Sequence, residues 1–263
     1  MKTRFRGASG FEKSICSIVS IGVFLMLWEF GVRLFPIGDI INGPSTVLLK
    51  TLRSIVEPIG THTIQGHVLW SLSRVLVGFT AGALAGVLLG VTMGWYRPVE
   101  ALFRPLFEMV RPIPPIAWIP LAILWFGLGE MTKYFLIFLA VFCNVTMNAY
   151  SGAKSVDPEL VGAAKMLGAN DRQVFLTIVL PACVPHIFAG LQIGLGSGWA
   201  TVVAAEMVRS SEGVGWVIVK GQDLNNPLQI LVGIVGIGVI GYILAIAMRA
   251  VEAKLCVWSE RGK

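Results

Sequence analysis

Six stretches of this chain are dominated by apolar residues and come near the roughly 20 positions that a helix needs to cross a hydrocarbon core. They lie at approximately 15–35, 71–93, 112–127, 134–150, 184–206 and 230–250. In lipid every backbone N–H and C=O needs an internal partner, so runs of this length predict spanning helices rather than strands. The composition agrees: 55% of the residues are hydrophobic and 14% charged, against about 45–50% and 25% in soluble domains. The expected fold class is an all-α membrane protein with about six transmembrane helices. The expected organisation is one transmembrane domain over residues 1–263, with an N-terminal tail at 1–13, a polar loop at about 152–181 and a C-terminal tail at about 250–263.

The first residues are basic, with Lys2, Arg4, Arg6 and Lys13 ahead of the first apolar run. A cleavable signal peptide would begin in the same way. The run that follows is too long for one, and no small-x-small cleavage site closes it, so the segment reads as a retained first span. With six spans and a cytoplasmic N-terminus, the inside segments hold fourteen of the twenty-one Lys and Arg residues. That bias places both termini and the 152–181 loop in the cytoplasm. The net charge of +6 is thereby a consequence of topology and calls for no nucleic acid. Cys16, Cys143, Cys183 and Cys256 occur singly, without metal-binding spacing, and no metal or cofactor is expected.

The polar loop carries the most specific local signals. Asp157 is a suitable N-cap, Pro158 fits the first helical position, and Glu159 complements the helix dipole. Leu160, Ala164 and Leu167 recur at helical spacing as one apolar stripe, and Gly168 suits a left-handed helix end. Asn170 and Gln173 form a second capping pair for a helix reaching Leu180. The expectation is two short helices at a glycine elbow. So brief a first helix needs a surface to pack on, and that surface is either its own membrane domain or a groove on a cytoplasmic partner.

Gly162, Ala163 and Ala164, then Gly168, Ile178, Leu180 and Pro181, fall at the spacing of the cytoplasmic "EAA" loop of binding-protein-dependent ABC transporter permeases, which the segment resembles. Gly162 stands where that motif often has Glu. The similarity extends to "SLSRVLVGF" from Ser71, "RPIPPIAWIPLAILWFGLGE" from Arg111, the run from Leu180 to Met207 and the late Trp258. Together these resemble permeases for taurine, alkanesulfonates, nitrate and bicarbonate, with taurine nearest. The resemblance implies a type I importer permease of a bacterial inner membrane. Its partners would be a second permease copy, two cytoplasmic ATP-binding subunits and a periplasmic substrate-binding protein. The coupling surface would be Asp157, Glu159, Leu160, Gly162, Ala163, Ala164, Leu167, Gly168, Ile178, Leu180 and Pro181.

Elsewhere the spans offer weaker signals. Gly78, Gly82, Gly86, Gly90 and Gly94 recur every four residues in the second run, a ridge suited to close helix packing. Five prolines between Pro105 and Pro120 preclude one regular helix there. Pro114, Pro115 and Trp118 therefore sit either beside a translocation path or at a kink near the inner interface. In the fifth run Gln192, Ser197, Trp199 and Thr201 offer hydrogen-bonding and aromatic groups for a path. Glu206 is either a path residue or a structural partner of Arg74 or Arg209. Asn144 and Asn148 suit a helix interface, and His62, His67 and His186 form no cluster in sequence.

No GxxxxGK[ST] loop occurs, so the chain is not expected to hydrolyse ATP. A self-sufficient channel or secondary carrier is the alternative class. It would need chains of ionisable groups within the spans, and the sequence shows few.

Overall fold

The structure is a computed structural model that describes residues 10–35 and 41–256, with side chains from 15 onward. The N-terminal basic residues Lys2, Arg4 and Arg6, Trp258 and the end of the C-terminal tail lie outside the described residues. Among the described residues ten α-helices follow in order: α1 (Gly10–Leu34), α2 (Pro44–Arg53), α3 (Ile64–Trp95), α4 (Arg97–Val110), α5 (Ile119–Phe126), α6 (Glu130–Lys154), α7 (Pro158–Met166), α8 (Asp171–Val208), α9 (Val214–Asp223) and α10 (Pro227–Leu255). Five of them, α1, α3, α6, α8 and α10, are long and apolar enough to cross a membrane.

The centre of the bundle is α6, packed between α3 and α8. The glycine ridge of α3 makes this contact. A Cβ on Gly78 would stand 2.6 Å from Cβ of Ile137, one on Gly82 2.8 Å from the carbonyl of Phe138, and one on Gly86 2.9 Å from Cβ of Val145. In lipid, where burial of apolar surface drives helix association little, such close approach gains the dispersion contacts that hold helices together. Gly190 and Gly198 do the same for α8 against Asn148 and Val141. The resulting core holds Val75, Ile137, Val141, Val145, Trp199 and Val202.

Two departures from sequence expectation have plain causes. The stretch 112–127 is not one straight span: α5 is 8 residues long, and the pair Arg97–Val110 and Pro115–Phe126 bends by 84°. Pro112, Pro114 and Pro115 concentrate the break, because a proline removes a backbone bond and disfavours helix in the residue before it. Pro105 is nevertheless accommodated inside α4. The second departure is α8. In place of a short helix ending near Leu180, one helix runs from Asp171 to Val208, 38 residues. Its chain passes Pro181 by widening into a π turn over Phe175–Val179, where the Leu180 N–H bonds the carbonyl of Phe175.

The short helices tie the bundle's two ends. α2 lies against α10, and its Ser45 donates from backbone and hydroxyl to Glu29 of α1 at 3.2 and 3.0 Å. At the C-terminal end of α6, Glu100 of α4 receives Lys154 at 2.7 Å and the Tyr150 hydroxyl at 2.5 Å.

Candidate functional site

The elbow is built as its residues dictate. Asp157 caps α7 by accepting from the Glu159 N–H at 2.9 Å, and Pro158 opens the helix. At the far end Gly168 adopts φ +89°. There its N–H bonds the carbonyl of Lys165 at 3.0 Å, and the Ala169 N–H bonds that of Ala164 at 3.1 Å. These are the two bonds of a Schellman ending, which a residue with a Cβ would strain. Asn170 and Gln173 then cap α8 reciprocally at 2.9 and 2.8 Å. Lys165 pairs with Asp171 across the turn at 2.8 Å.

The two faces of α7 differ. Val161, Ala164 and Ala169 pack on the chain's own core, against a cluster that includes Val91, Ala149, Ala153, Val174 and Cys183. The rest of the helix surface leaves Leu160 53%, Met166 85% and Leu167 89% exposed, with Gly162 and Ala163 also exposed. This corrects the expected stripe. Ala164 belongs to the inward face, and Ile178 and Leu180 also pack on that inner cluster. Asp157 and Gly168 shape the elbow, and Pro181 is exposed on α8. Met166 was missed by the stripe because a spacing of three and four from Leu160 selects a line on the helix and says nothing of which side the bundle covers.

At the bundle's opposite end lies a buried charge cluster. Glu206 of α8 and Arg74 of α3 meet at 2.8 Å, and both are essentially inaccessible to solvent. Ser71 shares its hydroxyl with both Glu206 oxygens at 2.8 and 2.9 Å, and the Gly215 N–H donates to the same carboxylate at 3.0 Å. Arg74 also grips Glu130 at the start of α6 with two donors, at 2.6 and 2.9 Å. Its Nη1 reaches the carbonyl of Glu212 at 2.9 Å. Lys133 closes the ring onto Glu130 at 2.8 Å and the Ser210 hydroxyl at 3.1 Å. His67, one face-repeat before Arg74, accepts from the Gly213 N–H at 3.2 Å and faces the Ile59 carbonyl at 2.9 Å. With Nδ1 as acceptor, Nε2 is assigned as the donor to that carbonyl. His67 also meets the ring of His62 edge to face at 5.7 Å, which the sequence spacing did not suggest.

This cluster decides between the two partners considered for Glu206. It is Arg74, which holds the buried Glu206 carboxylate at 2.8 Å. Sequence reasoning missed Glu130, Lys133 and Ser71. Their only signals were an acidic residue at a helix start and a serine three residues before Arg74.

Comparison with known proteins follows from this architecture. Residues 82–256 match the family model of the binding-protein-dependent transport system inner membrane component. The chain belongs to that family. The permease is 36% identical over 244 residues to the taurine transport system permease protein TauC of Escherichia coli (strain K12), covering 92% of this chain and 89% of that one. It is 32% identical over 237 residues to the nitrate import permease protein NrtB of Synechocystis sp. (strain ATCC 27184 / PCC 6803 / Kazusa), covering 88% and 86%. Its fold superposes with TM-score 0.61 on a chain of the methionine ABC transporter MetNI in inward-facing conformations, at 17% identity and over 72% and 94% of the two chains. The permease is thus a multi-pass inner-membrane protein with a type I importer fold. Its family lacks ATPase activity, and its members act with ATPase and substrate-binding partners.

Within the permease the remaining path candidates divide. Ser197 accepts from Asn144 at 3.1 Å, across the contact of α6 and α8. Thr201 turns back to the carbonyl of Ser197 at 2.7 Å. Trp199 is buried and donates to the Ile237 carbonyl at 3.1 Å, and Gln192 bonds Glu252 of α10. Ser197, Trp199 and Gln192 bridge helices, Thr201 bonds within α8, and Gln192 and Trp199 also line a cleft of about 340 Å³ between α8 and α10. The face of α8 that stays open carries Ile193, Gly196, Ala200 and Met207. Pro114 is exposed and Pro115 half-buried at the 84° bend. Trp118 packs against the cluster of Ile119, Ala122, Leu136 and Ala205, and its indole N–H has no partner among the described residues.

Proposed function

We propose that the permease imports a small organic sulfonate such as taurine, as a homodimer with both termini and the elbow in the cytoplasm. Two ATP-binding subunits dock on the outer face of α7, and a periplasmic binding protein delivers solute at the end of the charge cluster. The observation that carries this is the exposed face of Leu160, Met166 and Leu167 on a capped, rigidly ended helix. Apolar side chains left in water forgo about 1.5–3 kcal/mol each relative to burial. A helix held by caps at both ends and by its inner face transmits a push applied to its outer face. Closure of the ATPases would then move the α7 helices of the two copies and rock the spans between inward- and outward-open states. The 36% identity to TauC supports the sulfonate. The similarity to NrtB favours a second substrate, nitrate, on the same architecture.

Uptake of radiolabelled taurine and of nitrate into proteoliposomes, with the cognate binding protein and ATP, separates the two. ATP-dependent taurine accumulation is the expected result, and accumulation of nitrate alone would replace the sulfonate by the inorganic anion.

A further inference from the structure

A cleft of about 590 Å³ opens beside the charge cluster, between the end of α8, the start of α6 and α9. Seven ionic or hydroxyl side chains line it: Glu130, Lys133, Glu206, Arg209, Ser210, Ser211 and Asp223, of which Glu206 is held by Arg74 and Ser71. Most are already committed. Lys133 is bound to Glu130 and Ser210, Glu130 also takes both donors of Arg74, and the Ser210 hydroxyl donates to the Glu212 carbonyl at 2.6 Å.

Two opposite charges remain. Arg209 and Asp223 are exposed and form no ion pair among the described residues. Asp223 is the last residue of α9, where the helix dipole opposes a carboxylate, so its charge contributes nothing to the helix. The nearby cation Lys220 lines a different cleft, with Lys50 and Ser54. Trp216 lines the first cleft and is held by stacking on His67 at 5.1 Å between centroids. An indole fixed in this way attracts an ammonium.

We propose that this cleft receives a small zwitterion, with Arg209 and Ser211 taking its anionic group and Asp223 with Trp216 taking its ammonium. It rests on the importer reading above and sharpens it. A wall carrying one free cation and one free anion matches a solute with both charges, whereas a simple anion such as nitrate would meet an uncompensated carboxylate. Arg209 and Asp223 are then specificity-determining residues for solute entering the path.

Saturation-transfer NMR on the intact permease–ATPase complex in nanodiscs, without the binding protein, tests this with taurine, ethanesulfonate and ethylammonium as separate probes. Taurine should show the strongest transfer. Asp223→Asn should weaken taurine about three- to tenfold, the scale of one ion pair, and leave ethanesulfonate unchanged, while Arg209→Gln should weaken both sulfonates. An unchanged mass of the complex confirms that each variant is assembled. Equal transfer from all three probes, no transfer, or variants that behave as wild type would overturn the proposal. Proteoliposome uptake is a separate readout, so a nitrate importer whose cleft prefers taurine is distinguished from a sulfonate importer whose cleft does not.

Discussion

The two ends of the bundle solve opposite problems. At the charge cluster, the buried Arg74, Glu206 and Ser71 satisfy one another, with the half-exposed Glu130 at their edge. At the elbow, Leu160, Met166 and Leu167 stand in solvent on a helix whose other face is packed. Taking one member out of a buried ionic ring strands the rest, whereas taking an apolar group off an exposed face leaves the fold intact. One end should therefore fail by unfolding and the other by loss of partners.

The sharpest way to break this contrast is at Arg74. Arg74→Met leaves the buried Glu206 without its cation, while Glu130 keeps Lys133, and should cost about 3–5 kcal/mol. Thermal unfolding in detergent should fall steeply, and a variant as stable as wild type would show that the ring is solvated. Next comes Trp199→Ala. It removes a buried side chain and the bond to Ile237, at a cost of about 3–5 kcal/mol for a large-to-small change in a core. Lower stability is the expected outcome; altered substrate choice with unchanged stability would put Trp199 on the path. A third change, Gly86→Leu, drives a side chain into Val145. It should cost about 1–3 kcal/mol or more through overpacking and reduce yield before it alters transport. The smallest effect belongs to the elbow's own scaffold. Asn170→Ala removes half of the capping box and should cost about 1 kcal/mol, seen as faster amide exchange confined to residues 166–174. Exchange that rises across the whole bundle would mean the elbow is not a separate unit.

Much of this contrast is legible in sequence where a local rule settles the structure. The caps at Asp157 and Asn170, the left-handed Gly168 and the four-residue ridge of α3 are each dictated by nearest neighbours along the chain or by a single helix period. Legibility ends where the answer depends on what lies across a contact. The stripe through Leu160, Ala164 and Leu167 is periodic, yet Ala164 packs on the chain's own core because a buried apolar cluster lies there to receive it. Glu206 had two basic candidates in sequence, and only the approach of α3 to α8 selects Arg74. The prolines announce a break between α4 and α5 without giving its 84° angle. The π turn ahead of Pro181 has no marker of its own beyond that proline.

The central claim is that the outer face of α7 docks the ATPase, and the intact mass of the complex tests it most directly. The permease should be co-expressed with its ATP-binding subunit and purified as wild type and as Leu167→Asp. That charge lies on the exposed face and spares the inward residues Val161 and Ala164. Wild type carrying two ATPase subunits, with an equally stable Leu167→Asp permease that carries none, is the predicted result. A variant that keeps both subunits would contradict the assignment of α7 as the coupling surface.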